Sequence, residues 1–222
     1  MFKLLPLFRL KTIAFLSVAI LLNSCATHLH STKINGVPSD VVWLESDQFT
    51  TDGIPSLVKK NGEDFKVLLF ADIQIDKWNR KGKKHSFRLM KELIETTKPD
   101  LIITLGDNTQ GYLANRMALK LIDYLEDFDI PWAVTFGNHD SEGRRGRAWH
   151  GNQYEGAKNS LFSYGPSNIH GVGNYPVLLK NEQGDIIYSF IMMDSNVTRE
   201  YGEQGGGYDF IHKDQIDWYN WQ

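Results

Sequence analysis

Asp72, Asp107 and the consecutive Asn138, His139 and Asp140 carry chemistry at intervals of about 30–35 residues. Each follows a short apolar run: residues 65–71 (FKVLLFA), 101–105 (LIITL) and 132–136 (WAVTF). Carboxylate and amide oxygens are hard donors, and a cluster of them suits a divalent cation. Imidazole is the side chain whose ordinary pKa lies near neutrality, which suits a His to acid–base work. Gly106 and Gly137 precede Asp107 and Asn138, where they let the chain turn in conformations a side chain resists.

The elements that must position these groups follow from the apolar pattern. The three runs lack polar alternation, which predicts strands buried on both faces. Between the first two, Phe87, Met90, Leu93, Ile94 and Thr97 fall on one helical face, and Pro99 stops that helix. Between the second and third, Met117, Leu121, Tyr124, Leu125 and Phe128 mark a second amphipathic helix. The order β-α-β-α-β predicts an α/β fold with a parallel sheet and right-handed crossovers. In such sheets ligands bind at the C-terminal strand ends, which Asp72, Asp107, Asn138 and His139 follow. Further along, residues 186–193 (IIYSFIMM) predict a fourth buried strand ending at Asp194, Ser195 and Asn196. It pairs with residues 175–180 through a turn at 181–185, as a hairpin. A last helix begins near Asp214 and carries Trp218, Tyr219 and Trp221, which are expected to be exposed.

Taken in order, Ala71-Asp72-Ile73-Gln74, Leu105-Gly106-Asp107-Asn108 and Phe136-Gly137-Asn138-His139-Asp140 resemble the first three motifs of the calcineurin-like metallophosphoesterases. The family patterns are D-x-H, G-D-x-x and G-N-H-[DE], and the purple-acid-phosphatase-like branch is the nearest. The resemblance implies a β-sandwich flanked by helices and two divalent or trivalent metal ions (Fe, Mn or Zn). By it Asp72 holds one metal, Asp107 bridges both, and Asn138 binds the second. His139 acts as general acid and Asp140 orients it. Two such ions about 3.5–4 Å apart clamp the attacking and leaving oxygens of an in-line displacement on a phosphate ester. Gln74 stands where the family has His, and is either a weaker neutral ligand or no ligand. The family's later His and its G-H-x-H turn have no counterpart among His150, His170 and His212. The chain therefore reads as the N-terminal part of a longer enzyme, incomplete at its C-terminus. The alternative is a degenerate or truncated fold that binds phosphate esters without hydrolysing them. Arg144, Arg145 and Arg147, with His150 and Tyr154, follow the third motif as either phosphate contacts or a solvated basic loop.

Composition bounds the rest. The 222 residues are 41% hydrophobic and 23% charged, which excludes wholesale disorder. A single Cys excludes a disulfide scaffold. A net charge of −3 argues against a dedicated nucleic-acid binder, and no basic surface for one is evident. Lys3, Arg9 and Lys11 precede an apolar stretch over 12–22, then Leu22-Asn23-Ser24-Cys25. That is the signal-peptide pattern, too short to span a bilayer. The Cys at the cut resembles a bacterial lipobox, which implies cleavage before Cys25 and lipid on its sulfur; an ordinary signal peptide is the other reading. The expected organisation is a signal at 1–24, a lipid-bearing linker and edge segment at 25–62, and a phosphoesterase domain at 63–222. The expected location is a bacterial envelope membrane, facing away from the cytoplasm. His28 and His30 read as solvated linker rather than metal ligands.

Overall fold

The computed structural model describes residues 39–197 and 207–222. The signal segment, Cys25, His28 and His30 lie outside the described residues. Strand β1 is Ser56–Val58 and β2 is Val67–Phe70. Helix α1 (Arg80–Thr97), β3 (Leu101–Leu105), α2 (Ala114–Glu126) and β4 (Trp132–Thr135) follow. Then come α3 (Arg147–Glu155), β5 (Tyr175–Lys180), β6 (Ile186–Met192) and α4 (Lys213–Trp221). Among the described residues no helix is long and apolar enough to cross a membrane.

Strands β2, β3 and β4 form one sheet in that order, all parallel, with Phe70 opposite Thr104 and Leu105 opposite Thr135. The β-α-β-α-β reading is therefore what forms. The central β3 carries LIITL, and its first four residues are buried. Helix α1 covers the sheet through Met90 and Ile94, α2 through Met117, Ala118, Leu121 and Leu125. Asn79 caps α1 by accepting from the Gly82 N–H at 2.9 Å. At the other end Lys98 is left-handed (φ 46°) ahead of Pro99. Leu93, expected on the buried face of α1, is 45% exposed, because the contact stripe is narrower than the apolar one.

A second sheet has the order β1-β5-β6, with β1 parallel and β6 antiparallel to β5. The hairpin closes where the Asn181 N–H meets the Asp185 carbonyl at 2.9 Å. Val177 and Leu178 on β5 are buried. The expectation that β6 is buried on both faces fails: Ile186, Ile187 and Tyr188 are 43–58% exposed. β6 is an edge strand, and the groove between it and the parallel sheet is open, lined by Leu69, Leu105, Tyr188 and Phe190. An apolar run buries both faces only when both are covered. For the same reason Leu69 on the edge strand β2 stays exposed.

The aromatic end of the chain is also not as expected. Trp218 is buried, and Trp221 packs edge-on against Trp43 and Phe49 of the incoming segment. Its Nε1–H donates to the Asp47 carbonyl at 2.8 Å. Only Tyr219 of the three stands out in solvent.

Candidate metal centre

Three loops leave the C-terminal ends of β2, β3 and β4 and press against one another. The Asp72 and Gln74 N–H groups donate to the Gly106 and Asp107 carbonyls at 3.3 and 2.8 Å, and that of Ile75 to Asn108 at 3.1 Å. Gly106 and Gly137 touch across the next gap. A Cβ on Gly137 would lie 2.1 Å from Asp107 Oδ1, and one on Gly106 2.9 Å from the Gly137 nitrogen. The loops meet only because neither residue has a side chain.

The backbone at these turns is unusual. Asp72 (φ 52°), Gln74 (φ 46°) and Asp107 (φ 48°) are all left-handed. For a non-glycine residue this costs on the order of 1–2 kcal/mol each, and such strain gathers at functional sites.

Asp72, Asp107 and Asn138 line one cavity of about 290 Å³. Gln74 does not line it; its backbone splices the first two loops instead. The cavity takes further walls from Ser195, Asn196 and Val197 after β6, and from Tyr208 and Asp209. Asn196, left-handed at φ 65°, is a strand-end residue like the other three, so the same sign in the sequence marks it. Asp209 is already partnered by His212 Nε2 at 3.1 Å; partial burial opposes its ionisation, but that hydrogen bond holds its pKa below the ordinary range.

His139 opens a short 3₁₀ turn, His139–Ser141. Its N–H donates to Asp107 Oδ1 at 2.9 Å, and its Nε2 lies 3.9 Å from Asp107 Oδ2. Its Nδ1 meets Glu142 Oε1 at 2.5 Å. The Glu142 hydrogen bond pushes the His139 pKa up, against partial burial. Glu142 is fixed in turn by the Gly111 N–H at 2.6 Å.

The carboxylate hydrogen-bonded to the His139 ring is Glu142, three residues on; the hydrogen bonds of Asp140, to which the motif gave the orienting role, go elsewhere among the described residues. Asp140 turns inward and is fully buried. Its oxygens accept the N–H groups of Gly137 (2.9 Å), Thr109 (2.9 Å) and Asn108 (3.3 Å), the Asn108 amide (3.1 Å) and the Thr109 hydroxyl (3.2 Å). Burial pushes its pKa up, and the backbone donors pull the other way. Its work is to staple the second loop to the third.

The basic stretch after the third motif is helix α3 and its approach, not a loop. Arg144 lies over the Tyr112 ring at 5.0 Å. Arg147 is bonded inside the protein, and His150 and Tyr154 are buried. None of these last three is free for a phosphate.

Asp72, Asp107 and Asn138 bring two carboxylates and one amide from the parallel sheet to this cavity, an oxygen donor set that fits a hard divalent cation; Asp209 on the same cavity is taken up by His212. Among the described residues no three His, Cys, Asp or Glu side chains group as a metal site. Among the described residues that line the cavity the side-chain donors are oxygens and amides, and none is an imidazole.

Comparison with known proteins agrees with the geometry. Residues 65–221 match the family described as Calcineurin-like phosphoesterase. The chain is 26% identical over 174 residues to Phosphatase DCR2 of Saccharomyces cerevisiae, covering 68% of this chain and 30% of that protein. It is 30% identical over 146 residues to an Arabidopsis thaliana protein named Probable inactive purple acid phosphatase 29, covering 59% and 36%. With Probable inactive purple acid phosphatase 28 of the same plant it shares 27% over 155 residues, covering 59% and 38%. The chain spans about a third of the length of these curated relatives. No solved structure matches it.

Proposed function

The chain belongs to the calcineurin-like phosphoesterase family, and from that premise we propose that it is a metal-dependent phosphoric ester hydrolase, carried on a membrane by lipid at Cys25. The observation that carries the hydrolase reading is the convergence of Asp72, Asp107 and Asn138 on one cavity, with His139 hydrogen-bonded to Asp107 beside it. Family membership implies a phosphate-ester substrate and two metal ions. Asp72 would hold one, Asp107 would reach both, and Asn138 would hold the second. Bound there, the metals supply charge neutralisation and a nucleophile near neutral pH. The rest falls to the chain. The Asp107 carboxylate keeps the His139 backbone in place. Glu142 holds Nδ1 and leaves Nε2 to deliver a proton to the leaving oxygen. Asp140 and the two glycines keep the loops at fixed separation.

The test is hydrolysis of an aryl phosphate by the full chain loaded with Mn²⁺. Asp107→Asn is expected to lose at least a hundredfold in kcat. Full activity in that variant would overturn the assignment. The membrane reading rests on the sequence at 12–25 alone. Labelled palmitate should enter the protein in its own cells and fail to enter Cys25→Ser; equal labelling of both would end it. Cleavage removes three positive charges and no negative ones from a chain of −3, leaving −6. Such a domain stands off an anionic surface.

A second reading has its own support. Gln74 stands where the family has its first His, and the plant relatives carry the name "Probable inactive purple acid phosphatase". The chain is then a binding protein for phosphate esters. Saturable binding of the aryl phosphate with no turnover, across Mn²⁺, Zn²⁺ and Fe, is the outcome that selects it.

A further inference from the structure

Arg147 opens α3, and its side chain is 9% exposed. Its Nε donates to Ser141 Oγ at 3.0 Å and its Nη1 to both oxygens of Asp194. Its Nη2 donates to two carbonyls, Gly137 at 3.0 Å and Asn196 at 3.2 Å. A guanidinium has five N–H groups in one rigid plane, and here they reach four partners, Ser141, Asp194, Gly137 and Asn196. The same plane lies over the Phe136 ring at 5.6 Å.

Asp194, the countercharge, is fully buried at the end of β6. It also accepts the N–H groups of Val172 (2.8 Å) and Asn196 (2.9 Å). Its own N–H donates to Asn174 Oδ1 at 3.1 Å, and its carbonyl accepts from Gln215 Nε2 at 2.7 Å. Gln215 Oε1 takes the Asn196 amide at 3.2 Å. The polar chain thus runs from α3 through β6 to α4 and back to the cavity.

The two carbonyls on Nη2 belong to two separate segments that line the candidate site. Gly137 adjoins Asn138 on the parallel sheet; Asn196 follows the strand of the other sheet. We infer that Arg147, with Asp194 as its buried partner, is a positioning residue that sets the spacing of Asn138 and Asn196 across the cavity. The inference rests on the phosphoesterase reading and adds to it a coupling between the two sheets. A lysine cannot replace the guanidinium, because a point ammonium has three donors and no planar fork.

Structural and positioning roles separate experimentally. Removing one partner of a buried pair leaves an uncompensated charge, whereas removing both charges together does not. The full chain is prepared as wild type, as Arg147→Lys, and as the double variant Arg147→Met, Asp194→Asn. Melting, Mn²⁺ titration and amide hydrogen exchange of residues 136–140 and 195–197 are compared, the exchange in metal-free protein. The expected double variant still melts cooperatively, binds Mn²⁺ at least tenfold more weakly, and exchanges faster in both segments but not in β3. Wild-type exchange in both segments overturns the inference, whatever the metal does. Should the double variant not fold, Arg147→Lys, which retains the charge pair, is read in the same way. If the wild type binds no Mn²⁺ while the two segments still loosen in the variants, the metal reading fails and the positioning inference stands.

Discussion

Glu142 is the residue on which the proposed proton chemistry turns. It sits one short turn after His139, holds Nδ1 at 2.5 Å, and is itself held by the Gly111 amide. Glu142→Gln keeps the shape and loses the charge. General acid–base groups contribute typically 10²–10⁴-fold. The variant is therefore expected to lose on the order of tenfold or more in kcat for an alkyl phosphate, with KM nearly unchanged. An aryl phosphate, whose leaving group needs less protonation, should lose less. Equal losses on the two substrates would show that Glu142 does not act through His139. Asp140→Asn is a different case. It leaves a buried amide facing five donors, so it is expected to lower the melting temperature before it says anything about catalysis.

At the scale of elements, the strand ends deliver the site and the helices hold the strands. α2 is the clearest example. Leu121 and Leu125 are each about 1% exposed, and the Tyr124 hydroxyl donates to the Phe87 carbonyl of α1 at 2.5 Å. Leu121→Ala should cost roughly 2–5 kcal/mol in a denaturant titration, because a close-packed wall relaxes only partly around the missing methyl groups. A loss below about 1 kcal/mol would mean that α2 packs more loosely than its burial indicates. β6 behaves in the opposite way. Its outer residues are exposed, so Ile187→Thr should change stability by less than about 1 kcal/mol.

For the molecule as a whole, the pH dependence of stability has an identifiable source in His150. It is fully buried, and neither ring nitrogen has a hydrogen-bond partner among the described residues. Burial pushes its pKa down from 6.5 to about 4, with Arg147 adding to the effect. The folded state binds this proton less readily than the unfolded one. The contribution is therefore intact above pH 6.5 and is lost as pH falls towards 4. One pKa unit is about 1.4 kcal/mol, so the full loss is about 3 kcal/mol. His150→Leu, similar in volume and uncharged, should flatten that part of the curve and leave stability at pH 7 equal or higher. An unchanged acid limb would place the loss elsewhere.

Much of this molecule is local in origin, and that part is legible in the residues. The apolar runs at β2, β3 and β4, the 3.6-residue stripes of α1 and α2, and the Gly-Asp and Gly-Asn turns each report on a few neighbours in the chain. Together they place Asp72, Asp107 and Asn138 at one sheet edge before any coordinates are known. What could not be read is long-range. Whether Asp140 or Glu142 faces His139 depends on which way a 3₁₀ turn points, and that is set by buried donors on the second loop. Whether β6 is covered depends on what lies across the groove, not on its own composition. Arg147 looks like any solvated cation until Asp194, 47 residues away, is brought beside it. Packing chose among side chains that the local pattern leaves equivalent, because burial and hydrogen-bond partners belong to the contact and not to the residue.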